Sequence, residues 1–150
     1  MAFRETLGPV PTLRVLEPSA GTGSLLRAAQ QWERLDMVAV EIEPAIARVL
    51  GEQFKDVEVI CADFLSLELG QFDRIVMNPP FANGADIRHI EHARKHLKPG
   101  GRLVAICANG PRQQARLMPE ASEWHELPAD AFKESGTTVN AAIVIIDARY

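Results

Sequence analysis

Leu13-Arg14-Val15-Leu16-Glu17-Pro18-Ser19-Ala20-Gly21-Thr22-Gly23-Ser24 decides the fold. Its first five residues read as a short buried strand. The glycine-containing turn that follows lets the backbone approach a ligand, because Gly21 and Gly23 put no Cβ in the way. From Ser24 to Arg34, Leu25, Leu26, Ala29 and Trp32 share one helical face. A strand, a glycine turn and a helix in that order open an α/β sheet.

The unit then repeats. Met37–Glu41 reads as a second strand, and Pro44 suits the first position of a helix running to about Phe54 with Ile46, Val49 and Leu50 buried. Val57–Cys61 is a third strand, ending at Asp63-Phe64, and Arg74–Met77 a fourth. After a loop at 81–85, Asp86 is placed to cap a helix to Leu97, which Lys98-Pro99-Gly100-Gly101 stops. Arg102–Cys107 is a fifth strand, and Arg112–Leu117 a short helix or loop ended by Pro119. Glu123–Leu127 and Ala141–Ile146 complete seven strands. Strands alternating with helices imply a parallel sheet built by right-handed crossovers. The last two strands have no full helix between them, so one antiparallel strand is expected at or near an edge.

With 150 residues, one domain over 1–150 is the expectation, with no separate target-recognition domain. No apolar stretch approaches the length needed to span a bilayer, and Met1–Thr6 has no signal-peptide pattern. Cys61 and Cys107 fall in predicted buried strands without metal-type spacing, so they are expected to be reduced and structural in a cytoplasmic protein, and no metal site is expected. The net charge of -4 argues against a general nucleic-acid coat protein but accommodates an enzyme with a local basic surface.

Asn78-Pro79-Pro80-Phe81 directly follows the fourth strand. Two prolines end the ladder there, and the first pushes Asn78 out of the helical region. The result is a stiff corner with one amide side chain, an unpaired carbonyl and an aromatic ring, at the strand edge where open α/β sheets bind ligands. Three neighbouring strand ends carry carboxylates. Glu17 sits at the mouth of the glycine turn, where it suits an ammonium or sulfonium and ill suits a pyrophosphate. Glu41, 24 positions on, can accept both hydroxyls of a ribose. Asp63 with Phe64 can bond an adenine amine and cover a ring face. A dinucleotide fingerprint would place glycine where Leu26 stands.

The segment Glu17–Gly23 taken with Asn78–Phe81 resembles the class I S-adenosylmethionine-dependent methyltransferases, in particular the amino-methylating branch that includes N6-adenine DNA methyltransferases. The resemblance runs from about Leu13 to Ile146. It implies a Rossmann-like, seven-stranded, mostly parallel sheet with an antiparallel final strand and helices on both faces. It implies S-adenosyl-L-methionine as cofactor, with Glu17, Pro18, Ser19, Ala20, Gly21 and Gly23 around the methionine, Glu41 on the ribose, and Ile42, Asp63 and Phe64 at the adenine. Asn78, which also borders the cofactor, Pro79, Pro80 and Phe81 become the catalytic corner. The oxygen of Asn78 and the carbonyl of Pro79 accept from an acceptor NH2, and Phe81 stacks on its planar group. N6 of adenine in DNA is the first expectation. A protein glutamine or an RNA base is an alternative, and a catalytically silent cofactor-binding subunit of a larger complex is another. Cytosine C5 chemistry is not expected, because it needs a cysteine nucleophile and the corner has none.

The expected partner is therefore DNA, with RNA or protein as alternatives, no membrane, and either a homodimer or a partner subunit supplying specificity. Arg88, His92, Lys95 and His96 form one helix face that either meets phosphates or is simply solvated. Arg112 and Arg116 are candidates for the nucleic-acid backbone, and Thr137 and Asn140 for base contacts. Trp32 and Trp124 are expected in the core or an interface, and His125 in a structural role.

Overall fold

Residues 11–131 and 140–149 are described by a computed structural model. The strands are β1 (Leu13–Glu17), β2 (Leu35–Glu41), β3 (Val57–Cys61), β4 (Phe72–Met77), β5 (Leu97–Ala108), β6 (Glu123–Glu126) and β7 (Ala141–Asp147). The helices are α1 (Ser24–Ala29), α2 (Pro44–Gln53), α3 (Ala85–Arg94) and α4 (Pro111–Leu117). The strands form one sheet in the order β3-β2-β1-β4-β5-β7-β6. β1 to β5 pair in parallel, whereas β7 runs antiparallel to both of its neighbours. The expected antiparallel strand is thus present, one place in from the edge.

The sheet is covered on both faces, so its central strands read as continuous apolar runs. In β2, Met37 and Ala39 pack with Val15, Leu26, Leu50 and Phe54, while Val38 and Val40 face the other way onto Leu16, Ile75, Met77 and Ile90. Successive side chains of a strand point to opposite faces, which divides one run between two cores.

Sheet pairing sets several boundaries that helical periodicity misplaces. α1 ends at Ala29 instead of Arg34 because the residues beyond it are drawn into the sheet. The Leu13 N–H donates to Arg34 O at 3.0 Å, and Leu35 pairs with Leu13. Trp32, left on that turn, is 66% exposed and does not enter the core. α3 stops at Arg94 because Phe72 N–H donates to His96 O and Leu97 pairs with Phe72, so Lys98–Gly101 form a bulge within β5. α3 is capped by Gly84 in the left-handed conformation, with Asp86 inside its first turn. Cys107 is buried as expected, but Cys61, on edge strand β3, is exposed. No helix among the described residues is long and apolar enough to cross a membrane.

Ile90 is fully buried between α3 and the sheet. Ile90→Ala should lower the unfolding free energy by about 2–5 kcal/mol through lost transfer energy and a cavity. Trp32→Ala should change it by less than about 1 kcal/mol. Urea denaturation of the two variants measures both.

Candidate functional site

β1 to β4 pair in parallel, so their carboxyl ends share one edge. Order reverses between β1 and β4, the position at which open α/β sheets form a crevice. A cleft of about 310 Å³ opens there. Pro18 and Ser19 line it from the β1 loop, Glu41 and Ile42 from the β2 loop, Asp63 and Phe64 from the β3 loop, and Asn78 and Pro80 from the corner after β4. A larger hollow, about 540 Å³, lies beside Trp32 at the opposite edge, but it gathers no strand-end carboxylate.

The two glycines of the first turn do different work. Both are left-handed, with φ +53° at Gly21 and +89° at Gly23. A Cβ at Gly23 would stand 2.8 Å from the Phe54 ring and 2.9 Å from Leu50, so Gly23 seats the turn against α2. A Cβ at Gly21 would meet only Ser19 O, at 4.0 Å. Gly21 therefore keeps an open side and Gly23 does not. Neither borders the cleft directly, nor does Ala20, whose N–H donates to Val40 O and ties the turn to β2.

The acids also differ. Glu41 Oε2 accepts from Gly21 N–H at 2.7 Å, and its Oε1 accepts from Glu43 N–H at 3.0 Å. A carboxylate has about four acceptor sites, so Glu41 supports the turn and still has capacity for two hydroxyls. Glu17 lies below the cleft, 1% exposed, accepting from Ser19 N–H at 3.0 Å. Burial pushes its pKa up to about 8, with Ser19 opposing the shift and nearby Glu41 adding to it. An adjoining cation would restore the carboxylate.

Asp63 Oδ1 accepts from Leu65 N–H at 3.0 Å and starts a single 3-10 turn, Phe64–Ser66. The Phe64 ring is 2% exposed, held edge-on by His92 with centroids 4.8 Å apart. It lines the cleft as a buried side chain. Ile42, 59% exposed at the rim, is the apolar surface available to cover a ligand ring. His89 and His92 of α3, and His96 just beyond its end, pack against Phe64, with His96 buried, so the histidines leave the expected basic face while Arg88 and Lys95 stay exposed on it. His89 borders the cleft, and its Nδ1 is buried without a partner among the described residues. Sequence reasoning passed over His89, although it stands three residues before His92 on the same helix face.

Asn78 is exposed at the rim, Pro79 is buried, Pro80 is exposed and Phe81 is half-buried. Asn78 makes no side-chain hydrogen bond to the described residues, so its amide is free to meet a ligand. Behind the corner lies Asp86, 0% exposed. Its carboxylate accepts from Ile87 N–H, from Ala108 N–H and from Gln113 Nε2, joining α3, β5 and α4. Arg112 and Arg116 stand on α4, exposed and outside the cleft, and Arg116 pairs with Glu91 at 2.7 Å. Asn140 is exposed, its carbonyl accepting from Asn109 N–H at the same sheet edge. Thr137 lies outside the described residues.

These features fit a ligand carrying a cation, a ribose and a planar ring: a buried acid at one end, an acid with spare acceptors in the middle, and Ile42 with Asp63 at the other. Residues 5–131 match the methyltransferase small domain family. Over 105 residues the chain is 35% identical to a ribosomal RNA small subunit methyltransferase C of Pasteurella multocida, covering 63% of this chain and 32% of that one. Over 124 residues it is 29% identical to the modification methylase CviBIII of Paramecium bursaria Chlorella virus NC1A, covering 69% and 33%. The chain thus spans about a third of these relatives. The crystal structure of TrmN from Thermus thermophilus superposes with a TM-score of 0.73 at 20% identity over 91% of this chain and 44% of that one, a likeness of fold.

Because the raised pKa of Glu17 makes the folded chain bind more protons than the unfolded chain between about pH 4.5 and 8, stability should fall as pH rises through that window. Glu17→Gln should remove the slope. Urea denaturation of the ligand-free chain should find the variant equal to the parent near pH 4.5 and about 2–4 kcal/mol more stable above pH 8.

Proposed function

Because the chain belongs to the methyltransferase small domain family, we propose that it transfers a methyl group from its cofactor, S-adenosyl-L-methionine, to the exocyclic amino group of a nucleic-acid base, with RNA ahead of DNA. The observation that carries this reading is the free amide of Asn78, set by two prolines at the rim of a cleft whose other walls are Glu41, Ile42 and Asp63. The name of the Pasteurella relative supports an RNA acceptor and that of the viral modification methylase keeps DNA as the second reading. The sequence alone places N6 of adenine in DNA first; the similarity to ribosomal RNA methyltransferases supports putting RNA ahead of it. We propose the remaining cleft roles as follows.

When bound, the cofactor supplies an electrophilic methyl group on a positively charged sulfur. Glu17 and the turn Pro18–Gly23 hold the methionine end, where a nearby cation keeps Glu17 ionised. Glu41 accepts from the ribose hydroxyls while its other lone pairs hold Gly21 and Glu43. Ile42 covers the adenine face, Asp63 accepts from its amine, and Phe64 lines the cleft.

At the acceptor side, an exocyclic NH2 is a poor nucleophile because its lone pair is delocalised into the ring. The Asn78 side-chain oxygen and the Pro79 carbonyl accept its two hydrogens, which turns the lone pair out of conjugation and disperses the positive charge that develops on nitrogen. The proton is then lost to water, so Asn78 need not be a base. Phe81 stacks on the base and offsets part of the cost of flipping it from a paired strand.

Labelled methyl transfer to RNA, single-stranded DNA, duplex DNA and a cell protein extract, with modified nucleosides identified by mass, tests the reading. Label in RNA is expected; label only in protein would move the acceptor class. Asn78→Ala should lower transfer by about 10²–10³-fold with cofactor affinity nearly intact. Glu41→Gln must put its NH2 against a backbone N–H, so calorimetry should find cofactor affinity down by roughly 10–100-fold. Equal losses of cofactor affinity in both variants would show the two halves of the site to be wrongly divided.

A further inference from the structure

Just past the acceptor corner the chain makes a 3-10 turn, Ala82–Gly84, and enters α3. α3 and α4 enclose a groove of about 400 Å³ there, lined by Asn83, Gly84, Arg88, Arg112 and Arg116 with Glu91 at one side. Its arginines are not all neutralised. Arg116 pairs with Glu91 at 2.7 Å. Arg88 donates from Nη1 to the carbonyl of Asn83 at 2.8 Å, leaving other donors of its guanidinium unspent. Arg112 has no acceptor among the described residues.

Gly84 brings these cations together. A Cβ built there would lie 3.5 Å from Arg112 Nη1 and 3.9 Å from Arg88 Nη1. Residue 84 is also left-handed, φ +71°, a conformation side chains rarely adopt. Two guanidinium groups therefore converge over one bare stretch of backbone, and neither forms a salt bridge among the described residues. Like charges at such a spot repel, and an anion between them would reverse the sign of the interaction. The concentration of positive charge stands out in a chain of net charge -4.

We propose that this groove binds a phosphodiester of the nucleic-acid strand that carries the target base. The proposal rests on the nucleic-acid reading above and adds to it where the backbone lies. Forked, planar guanidinium groups match phosphate oxygens two at a time, which a lysine cluster would not do. The position suits a neighbour of the reacting nucleotide, because Gly84 is three positions after Phe81, a span of at most about 10–11 Å. A base stacked on Phe81 thus has its flanking phosphates within reach of Arg88 and Arg112. Phosphodiester is common to RNA and DNA, so this subsite fixes strand position and leaves base identity to the corner.

The test is fluorescence anisotropy of one labelled sequence, as single-stranded RNA, single-stranded DNA and duplex DNA, across a salt series. Parent, Arg112→Ala, Arg112→Ala/Arg116→Ala and Asn78→Ala are compared, with cofactor affinity by calorimetry as the check on folding. Arg112→Ala should weaken single-strand binding roughly tenfold and reduce the slope of log K against log salt by about 0.7 for the lost contact, with cofactor affinity unchanged. The double variant should lose more of the slope, and Asn78→Ala none. The arm that binds tightest identifies the strand. If the parent binds and neither arginine variant changes the slope, the groove is refuted and the nucleic-acid reading stands. If the parent binds no nucleic acid in any arm, that reading fails, and the groove fails with it.

Discussion

A carboxylate sealed inside a protein without a cation beside it is tolerable only when N–H groups fill its lone pairs. Asp86 is in that position. One donor comes from its own helix, one from the end of β5 and one from the side chain of Gln113 on α4. No two of these elements could shift apart without stranding the acid. The segment between Met77 and Asp86 is consequently pinned at both ends, by the sheet and by this knot, and two prolines stiffen its middle. Rigid placement of this kind would let the amide proposed to act on the substrate do so without first having to be ordered. The same knot fixes α4 against α3, so the arginine groove and the acceptor corner share one support.

The sheet was legible because buried strands are short apolar runs between turns, and such runs stand out for β1 to β5 and β7, while the polar edge strand β6 shows only its alternation around Trp124. Helix ends were less legible, since periodicity describes what a helix would bury and says nothing about which residues a neighbouring strand will claim. Arg34 and Leu97 were claimed in this way. Histidine was misread for a related reason. Its ring is polar enough to suit a solvated face and flat enough to pack on an aromatic, and Phe64, brought over by the β3 loop, selects the second option for His92 and His96.

Within the cleft, the sequence identified strand-end acids but could not tell them apart. Glu17 and Glu41 have the same side chain at equivalent strand ends. Their difference comes from depth and from partners supplied by the turn and by Glu43. Gly21 and Gly23 looked interchangeable until α2 packed against one of them. Asp86, Gln113 and His89 went unrecognised as a group because their meaning depends on contacts between elements distant in sequence, Asp86 and Gln113 being 27 positions apart.

The cleft straddles the boundary between β1 and β4, and that boundary is the costly one to close. The Arg14 N–H donates to Asp73 across a sequence separation of 59 residues, whereas β1 to β3 join through nearest-neighbour crossovers. Contacts that close long loops lose the most chain entropy before they gain anything, so local pairings tend to form first. The amino-terminal strands would then gather into a half-sheet that already carries Glu17, Glu41 and Asp63, while Asn78 joins only when β4 docks. A ligand needing both halves would bind the completed sheet alone and hold it closed by mass action. On the proposed reading of the cleft, the cofactor would act as a late folding partner as well as a reagent.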